Sequence, residues 1–263
     1  MKNIKKSLII YKECIKISLS SAAAYRIDFI LSMVISLVGN ILFPLVTVLI
    51  YSSGAGFAGW GIYEVLLIQS LFIISGGLET ITMGSVIWKT LNHIREGSFE
   101  TVLLKPMDPL FFLILSAFDP GGLGQLIGGF VIFGIAASHT GIVSFAAFMK
   151  FLMLFAAGFA VTTGISMIMA ATSFKWVGNS RIPEIFDSIK TFGMYPASIF
   201  PSAVKGIVAF IVPVGMIGFF PASALLGRMD PLNMLAVIPC VLFMFIGIWI
   251  YHYMIRMYES VGG

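Results

Sequence analysis

The sequence predicts an all-α membrane protein with six transmembrane helices. Of 263 residues, 59% are hydrophobic and only 11% are charged, whereas soluble globular domains carry about 25% charged residues. Several apolar runs approach the roughly 20 residues that a helix needs to cross a bilayer. The strict alternation of polar and apolar residues that is typical of transmembrane β-barrels is absent. The spanning elements are therefore expected to be helices.

Six apolar runs predict the spans, and residues 1–263 are expected to form a single transmembrane domain. A polar pair, Arg26 and Asp28, marks the start of the first span, and Pro44 lies inside that span. The uncharged, Gly-rich residues 52–61 predict a short loop on the far side of the membrane. The predicted spans cover about residues 29–51, 63–88, 120–139, 145–174, 202–220 and 231–253.

Residues 1–27 predict an amphipathic helix that lies on the membrane surface. Apolar side chains recur there at helical spacing, while Lys5, Lys12 and Lys16 occupy a different arc of the helix. A solvated basic tail is the alternative. The apolar stripe consists of Ile4, Leu8, Tyr11, Ile15, Leu19 and Ala22.

The longest polar interruption of the apolar pattern lies between the second and third spans, and we call residues 89–119 the handle. Its charges exclude it from hydrocarbon, so it must face water or another protein. Residues 110–118 are apolar but too few to span, which predicts an interfacial or re-entrant helix. The candidate coupling residues of the handle are Lys89, His93, Arg95, Glu96, Glu100 and Lys105.

Three Asp-Pro pairs predict helix starts, because Asp accepts hydrogen bonds from free N–H groups and Pro suits the first helical position. Pro213 is a predicted kink in the fifth span. The pairs are Asp108-Pro109, Asp119-Pro120 and Asp230-Pro231.

A second interfacial helix is predicted between the fourth and fifth spans. Apolar residues from Ile182 to Phe192 recur at helical spacing there, opposite Glu184, Asp187 and Lys190.

The positive charges predict the orientation. If both termini are cytoplasmic, all of the 16 Lys and Arg residues except Lys150 and Arg228 fall on the cytoplasmic side, as the positive-inside rule requires. The net charge of +4 is thereby explained by topology rather than by nucleic-acid binding. We expect a multi-pass protein of the cell membrane.

Catalytic motifs are not evident in the sequence. No stretch matches the phosphate-binding GxxxxGK[ST] loop, and His93, His139 and His252 lack the spacing of a shared metal site. The chain is therefore not expected to be an enzyme or to hold a cofactor or metal.

Glu79 is the one carboxylate that the predicted spans place deep in the membrane. It lies about 15 Å of helix from Lys89. Ionisable side chains inside spans are costly and mark functional sites. A hydrogen-bonded packing role is the alternative reading.

Several motifs along the chain resemble those of the permease subunit of an ATP-binding-cassette (ABC) transporter, of the six-span, multidrug-type branch of the type-2 exporters. The resemblance implies a pair of permeases, identical or sister chains, with separate ATPase subunits that bind ATP and Mg. It also implies that the N-terminal helix and the handle contact those ATPases and that transport is outward. The motifs are Tyr25-Arg26-Ile27-Asp28-Phe29, Ile94-Arg95-Glu96-Gly97, Leu103-Leu104-Lys105-Pro106, Tyr195-Pro196, Phe200-Pro201, Pro213 and Phe220-Pro221-Ala222.

Two other functions are compatible with the sequence. One is a membrane scaffold or sensor subunit that transmits a signal through the handle without moving a substrate. The other is a proton-coupled carrier that uses Glu79, although such carriers usually have internal repeats.

Overall fold

The computed structural model describes residues 2–141, 144–176, 181–229 and 231–258. Helices and turns make up this part of the chain, which contains no β-strand. The α-helices are α1 (Lys2–Ala24), α2 (Arg26–Ser52), α3 (Ile62–Glu79), α4 (Ser85–Arg95), α5 (Glu100–Leu103), α6 (Pro109–Leu115), α7 (Gly122–Thr140), α8 (Phe145–Thr172), α9 (Arg181–Lys190), α10 (Ser202–Gly206), α11 (Phe219–Leu225) and α12 (Val237–Ile255).

The all-α membrane class is confirmed. Within the described residues, five helical stretches are long and apolar enough to cross a bilayer. A π-helical turn, Thr80–Gly84, joins α3 to α4 without a break, so the first part of the handle continues the second spanning helix to Arg95. The five stretches are Arg26–Ser52, Ile62–Arg95, Gly122–Thr140, Phe145–Thr172 and Met234–Ile255.

The prediction of a fifth spanning helix at residues 202–220 is wrong. That stretch consists of α10, a π-helical turn at Ile207–Ile211, a 3-10 turn at Val214–Met216 and the start of α11. The helix breaks at Val212 and Pro213, both of which have extended or irregular ψ angles. Proline lacks the N–H that would continue the helical hydrogen bonds, so the predicted kink at Pro213 is a complete break.

Residues 181–199, for which an interfacial helix was expected, instead run between the two ends of the helix bundle. This segment consists of α9 and two 3-10 turns, Thr191–Met194 and Ala197–Ile199. Near its start, Pro183 lines a cavity with Trp88 and Arg95 at the handle end of the bundle. Near the C-terminal end of this segment, Ser198 accepts a hydrogen bond from the indole N–H of Trp60 at 3.1 Å. Trp60 precedes α3 and belongs to the opposite end, which we call the loop end.

Residues 202–228 form a hairpin that enters the bundle from the loop end and returns to it. Its tip packs on α8, where a Cβ atom on Gly158 would collide with Met216 and Ile217. Gly158 lies about 20 Å along α8 from its loop-end start at 1.5 Å per residue. On return, Arg228 donates a hydrogen bond to the Gly59 carbonyl at 3.0 Å. The hairpin is therefore re-entrant.

This topology alters the predicted charge distribution. Lys190 lies inside the bundle rather than at its handle end, because its ammonium group binds Glu79. Lys205 is exposed on α10, in the half of the hairpin that starts at the loop end. The other basic residues assigned to the cytoplasm remain in elements at the handle end.

The N-terminal helix α1 contacts both α2 and α6. Its half-buried positions include Tyr11, Ile15 and Ala22, as the apolar stripe predicts, whereas Leu8 and Leu19 are exposed. The face of α1 that packs on the protein is therefore rotated relative to the predicted apolar face. The apolar side chains of Leu8 and Leu19 remain exposed.

Glycine allows the closest helix contacts in the bundle. A Cβ on Gly247 of α12 would lie 2.5 Å from the carbonyl oxygen of Gly164 on α8. A Cβ on Gly124 would collide with the backbone of Met33 on α2, while one on Gly128 would make ordinary contacts. Small residues that permit close backbone approach are typical of membrane helix pairs.

Candidate functional site: a buried ion pair and the handle

Glu79 lies near the middle of the longest spanning helix. It is the last residue of α3, about 25 Å of helix from Ile62 and about the same from Arg95 at 1.5 Å per residue. The π-helical turn begins at the next residue. Such turns are frequent at functional sites.

Two residues from other helices contact the Glu79 carboxylate, and a third contacts one of those two. Ser166 on α8 donates a hydrogen bond to Oε1. The Lys190 ammonium on α9 lies 3.2 Å from Oε2, and the two side chains are only 15% and 9% exposed. The same ammonium lies 3.2 Å from Asp187, whose side chain is 60% exposed. Because Lys190 counters the Glu79 charge, both groups can be accommodated inside the bundle.

A pocket of about 250 Å³ opens beside this ion pair. It lies where α3, α7, α8 and α9 meet the tip of the hairpin. Two carboxylates, one ammonium group and several uncharged polar side chains line it together with a phenyl ring. Its lining residues are Phe72, Gly76, Glu79, Thr80, Gln125, Thr162, Asp187, Lys190, Thr191 and Ile217.

The Gln125 amide faces this pocket, and no hydrogen bond from any other described residue satisfies it. Gly76 allows the amide to sit there, because a Cβ at position 76 would lie 2.5 Å from Gln125 Nε2. The pocket therefore contains a polar group that is free to bind a ligand.

The handle forms the other polar region. Helix α4 ends at Arg95. Gly97, two residues later, has a φ of 66° in the left-handed region, as is common just after a helix. Arg95, Glu96, Glu100 and Lys105 are exposed. Leu104 is 83% exposed, so α5 and the residues after it present an apolar side chain among charges.

Two predicted coupling residues are tied to the handle itself. Lys89 is half-buried and donates a hydrogen bond to the Ser116 carbonyl. His93 Nδ1 lies 2.9 Å from the Ser98 hydroxyl oxygen. These contacts hold the handle's shape, and the predicted contacts of both residues with an ATPase stay predictions.

Aromatic contacts anchor the handle to the spanning helices. The fully buried Phe99 ring lies 5.0 Å from that of Phe174, just after α8, and 5.2 Å from that of Tyr258, just after α12. The Thr90 and Tyr251 hydroxyl oxygens are 3.2 Å apart. The handle is thus packed against the ends of two spanning helices, while Glu96, Glu100 and Lys105 are exposed.

A hydrogen bond from α12 reinforces this attachment. His252 Nε2 lies 2.8 Å from the Asp108 carboxylate, and His252 Nδ1 lies 2.9 Å from the Ile248 carbonyl. Both oxygens can only accept, so this geometry uses both ring N–H groups of a protonated imidazole.

The family assignment follows from comparison with known proteins. Residues 34–262 match the model of a family described as ABC-2 family transporter protein. The chain belongs to this family. It is the membrane component, or permease subunit, of an ABC transporter. Neither a curated protein nor a solved structure matches it.

The Asp-Pro pairs of the permease behave differently from one another. Asp108 caps α6 as predicted and accepts a hydrogen bond from the Phe111 N–H at 2.9 Å. Asp119 instead accepts from the Gly121 N–H at 2.8 Å, so it shapes a turn after Pro120, and α7 begins at Gly122. Asp230 lies outside the described residues, and Pro231 begins a 3-10 helix that ends at Ala236.

The predicted boundary pair lies at the start of the permease's first spanning helix. Arg26 and Asp28 are both exposed. Asp28 also lines a cleft of about 560 Å³ with Lys89 and Asp119. This cleft separates the N-terminal helix from the handle.

Sequence reasoning found Glu79 in the permease but missed its partners. Its partners Ser166 and Lys190 come from two other helices, and Gln125 lines the same pocket from a third. Lys190 was assigned to the membrane surface. The charged residues of α9 indicated a polar face, but their spacing in the sequence could not identify Glu79 as the group that Lys190 contacts. No group of His, Cys, Asp and Glu suited to a metal ion occurs within the described residues.

Proposed function

We propose that this permease forms half of an ATP-driven exporter and receives mechanical work from separate ATPase subunits through its handle. The observation that carries this proposal is the two-sided structure of the handle. Its outer face combines Arg95, Glu96, Glu100 and Lys105 with the exposed Leu104. Its inner face packs on the ends of α8 and α12 through Phe99.

The handle is also continuous with the helix that carries Glu79. A force applied at Arg95 reaches Glu79 along α4 and the π-helical turn at Thr80–Gly84. A π-helical turn departs from regular α-helical hydrogen bonding and provides a place where α4 can reorient. Closure of ATP-bound motor domains would therefore alter the walls of the pocket beside Glu79.

A second permease, identical or sister, completes the proposed assembly. Asp187 is 60% exposed at the level of Glu79, and a carboxylate facing hydrocarbon at that depth is costly. A water-filled pathway between two permeases removes that cost. In the proposed arrangement the handle end and both termini are cytoplasmic, ATP and Mg bind to the partner ATPase, and cargo moves outward through the cell membrane.

The proposal is tested by co-purification and transport. The permease is co-expressed with candidate ABC ATPases from its source organism, and Arg95→Glu, Glu96→Lys and Leu104→Asp are compared with wild type. We expect these variants to insert normally but to lose most of the bound ATPase and its transport-linked ATP hydrolysis. Lys150→Glu is the control, because Lys150 is exposed at the loop end.

Unchanged ATPase binding by all three handle variants would contradict the proposed docking surface. Co-purification of a regulator or kinase in place of an ATPase would support the sensor alternative. Transport that proceeds without an ATPase, and loses its pH dependence in Glu79→Gln, would support a proton-coupled carrier.

A further inference from the structure

The pocket beside Glu79 has the composition of a ligand site. Its volume of about 250 Å³ equals that of roughly eight water molecules in the liquid and approaches the lower end of small-molecule sites, about 300 Å³. It can therefore hold a small compound or the head group of a larger one.

The charges of this pocket are unbalanced. Glu79 and Asp187 contribute two carboxylates, while Lys190 contributes one ammonium group. The bonds to Lys190 and Ser166 engage both oxygens of Glu79. Asp187 has one close contact, with Lys190, and its side chain is 60% exposed, so its carboxylate is the group most available to an incoming positive charge.

The uncharged residues suit the rest of such a ligand. Phe72 places a phenyl ring in the pocket wall, and aromatic faces attract organic cations. Gln125 adds an amide that no described residue satisfies. Thr80, Thr162 and Thr191 lie around the same space.

We propose that this pocket binds the organic-cation head group of a transported compound, with Asp187 as the principal counter-ion and Phe72 and Gln125 beside it. This inference rests on the proposed transport function, since it names the substrate class of the same permease. The Glu79–Lys190 ion pair holds α3 to α9 and maintains the pocket's shape. Asp187 supplies the charge that selects the ligand.

Binding is measured on the purified permease pair without ATPase, in nanodiscs whose lipids lack choline. The probe is benzyltrimethylammonium, followed by saturation-transfer NMR, and benzoate of similar size is the anionic comparison. We expect the cation to bind and benzoate not to bind. Asp187→Asn should weaken cation binding about tenfold, because hydrogen bonds and contacts to a charged group contribute roughly that factor.

A control outside the pocket separates local charge from folding. Lys150→Glu changes an exposed charge at the loop end and leaves every pocket residue in place. It should retain cation binding within about threefold, whereas Asp187→Asn should not. Gly76→Ala should also weaken binding, because the added Cβ displaces the Gln125 amide.

Three results would overturn the inference: no cation binding to wild type, preferential binding of benzoate, or equal affinity in wild type and Asp187→Asn. None of them bears on ATPase docking, because the ATPase is absent from this measurement. Conversely, loss of ATPase co-purification would leave the binding result intact. Each of the two proposals can therefore be contradicted without affecting the other.

Discussion

Two carboxylates lie 3.2 Å from the Lys190 ammonium group, and their different burial predicts different contributions to stability. The Glu79 side chain is 9% exposed and that of Asp187 is 60% exposed. Lys190→Met leaves Glu79 with a buried charge and no cationic partner. Removing one member of a buried ion pair costs about 3–5 kcal/mol, which agrees with a Coulomb energy of about 5 kcal/mol at 3.2 Å and an effective dielectric constant of 20.

Asp187→Asn is the matched control. It removes a charge at the same distance from the same ammonium group, but solvent screens this exposed pair. Exposed ion pairs contribute about 0–1 kcal/mol, so the free energy of unfolding should fall by less than about 1 kcal/mol.

The double substitution Glu79→Gln and Lys190→Met tests the origin of the cost. Removing both partners eliminates the uncompensated charge, and replacing a whole buried pair is often nearly neutral. The Ser166 hydroxyl can still donate to the amide carbonyl at position 79. We expect the double variant to be more stable than Lys190→Met alone, with a coupling energy of about 2–3 kcal/mol, at the upper end for residues in contact.

Thermal unfolding of the purified variants in one detergent measures these differences. For chains of about this size, 1 kcal/mol shifts Tm by about 2–4 °C. Lys190→Met should therefore lower Tm by roughly 10 °C, and Asp187→Asn by less than about 4 °C. Equal shifts for the two variants, or a stable Lys190→Met, would show that the ion pair does not stabilise this fold.

Two further predictions concern packing. Phe99→Ala should lower the free energy of unfolding by about 3–5 kcal/mol, because it leaves a cavity in the aromatic cluster that anchors the handle. Limited proteolysis should then cut the handle first. An unchanged cleavage pattern would contradict the anchoring role. Gly164→Leu should separate α8 from α12 and cost at least about 1–3 kcal/mol, measured as loss of folded protein by size-exclusion chromatography. Gly134→Leu is its control, because a Cβ at position 134 meets nothing within 4 Å, and equal losses in both variants would contradict this close contact.

Much of the fold follows from the hydrophobic pattern. The length of each long apolar run is sufficient to predict a helix across the membrane. These runs correspond to α2, α3, α7, α8 and α12. The cap at Asp108 is equally local, because a side chain and an N–H group three residues later suffice. The exposed, charged face of the handle follows from the cost of placing charges in hydrocarbon.

Residues 181–199 show where this reasoning failed. Four charged residues on the ten-residue helix α9 predict a surface location when each charge is assigned its full cost in hydrocarbon. Glu79 lowers that cost for Lys190, yet it precedes Lys190 by more than 100 residues. Hydropathy is summed over neighbours in sequence, so it cannot include a counter-ion that arrives through folding.

The prediction of a spanning helix within residues 202–228 was wrong for a related reason. Its apolar composition resembles that of a spanning helix, but Pro213 breaks the helix and the chain returns to the loop end. Backbone without regular helical hydrogen bonds is tolerated at membrane depth where other protein covers it, and here α3 and α8 do so.

The sequence alone was sufficient for the all-α membrane class, the polar handle and the depth of Glu79, because each depends on residues close together in the chain. The path of residues 181–199, the re-entrant hairpin and the pocket required the folded structure. They depend on contacts between distant segments, above all the bond from Lys190 to Glu79, whose energy is realised when α9 packs against α3.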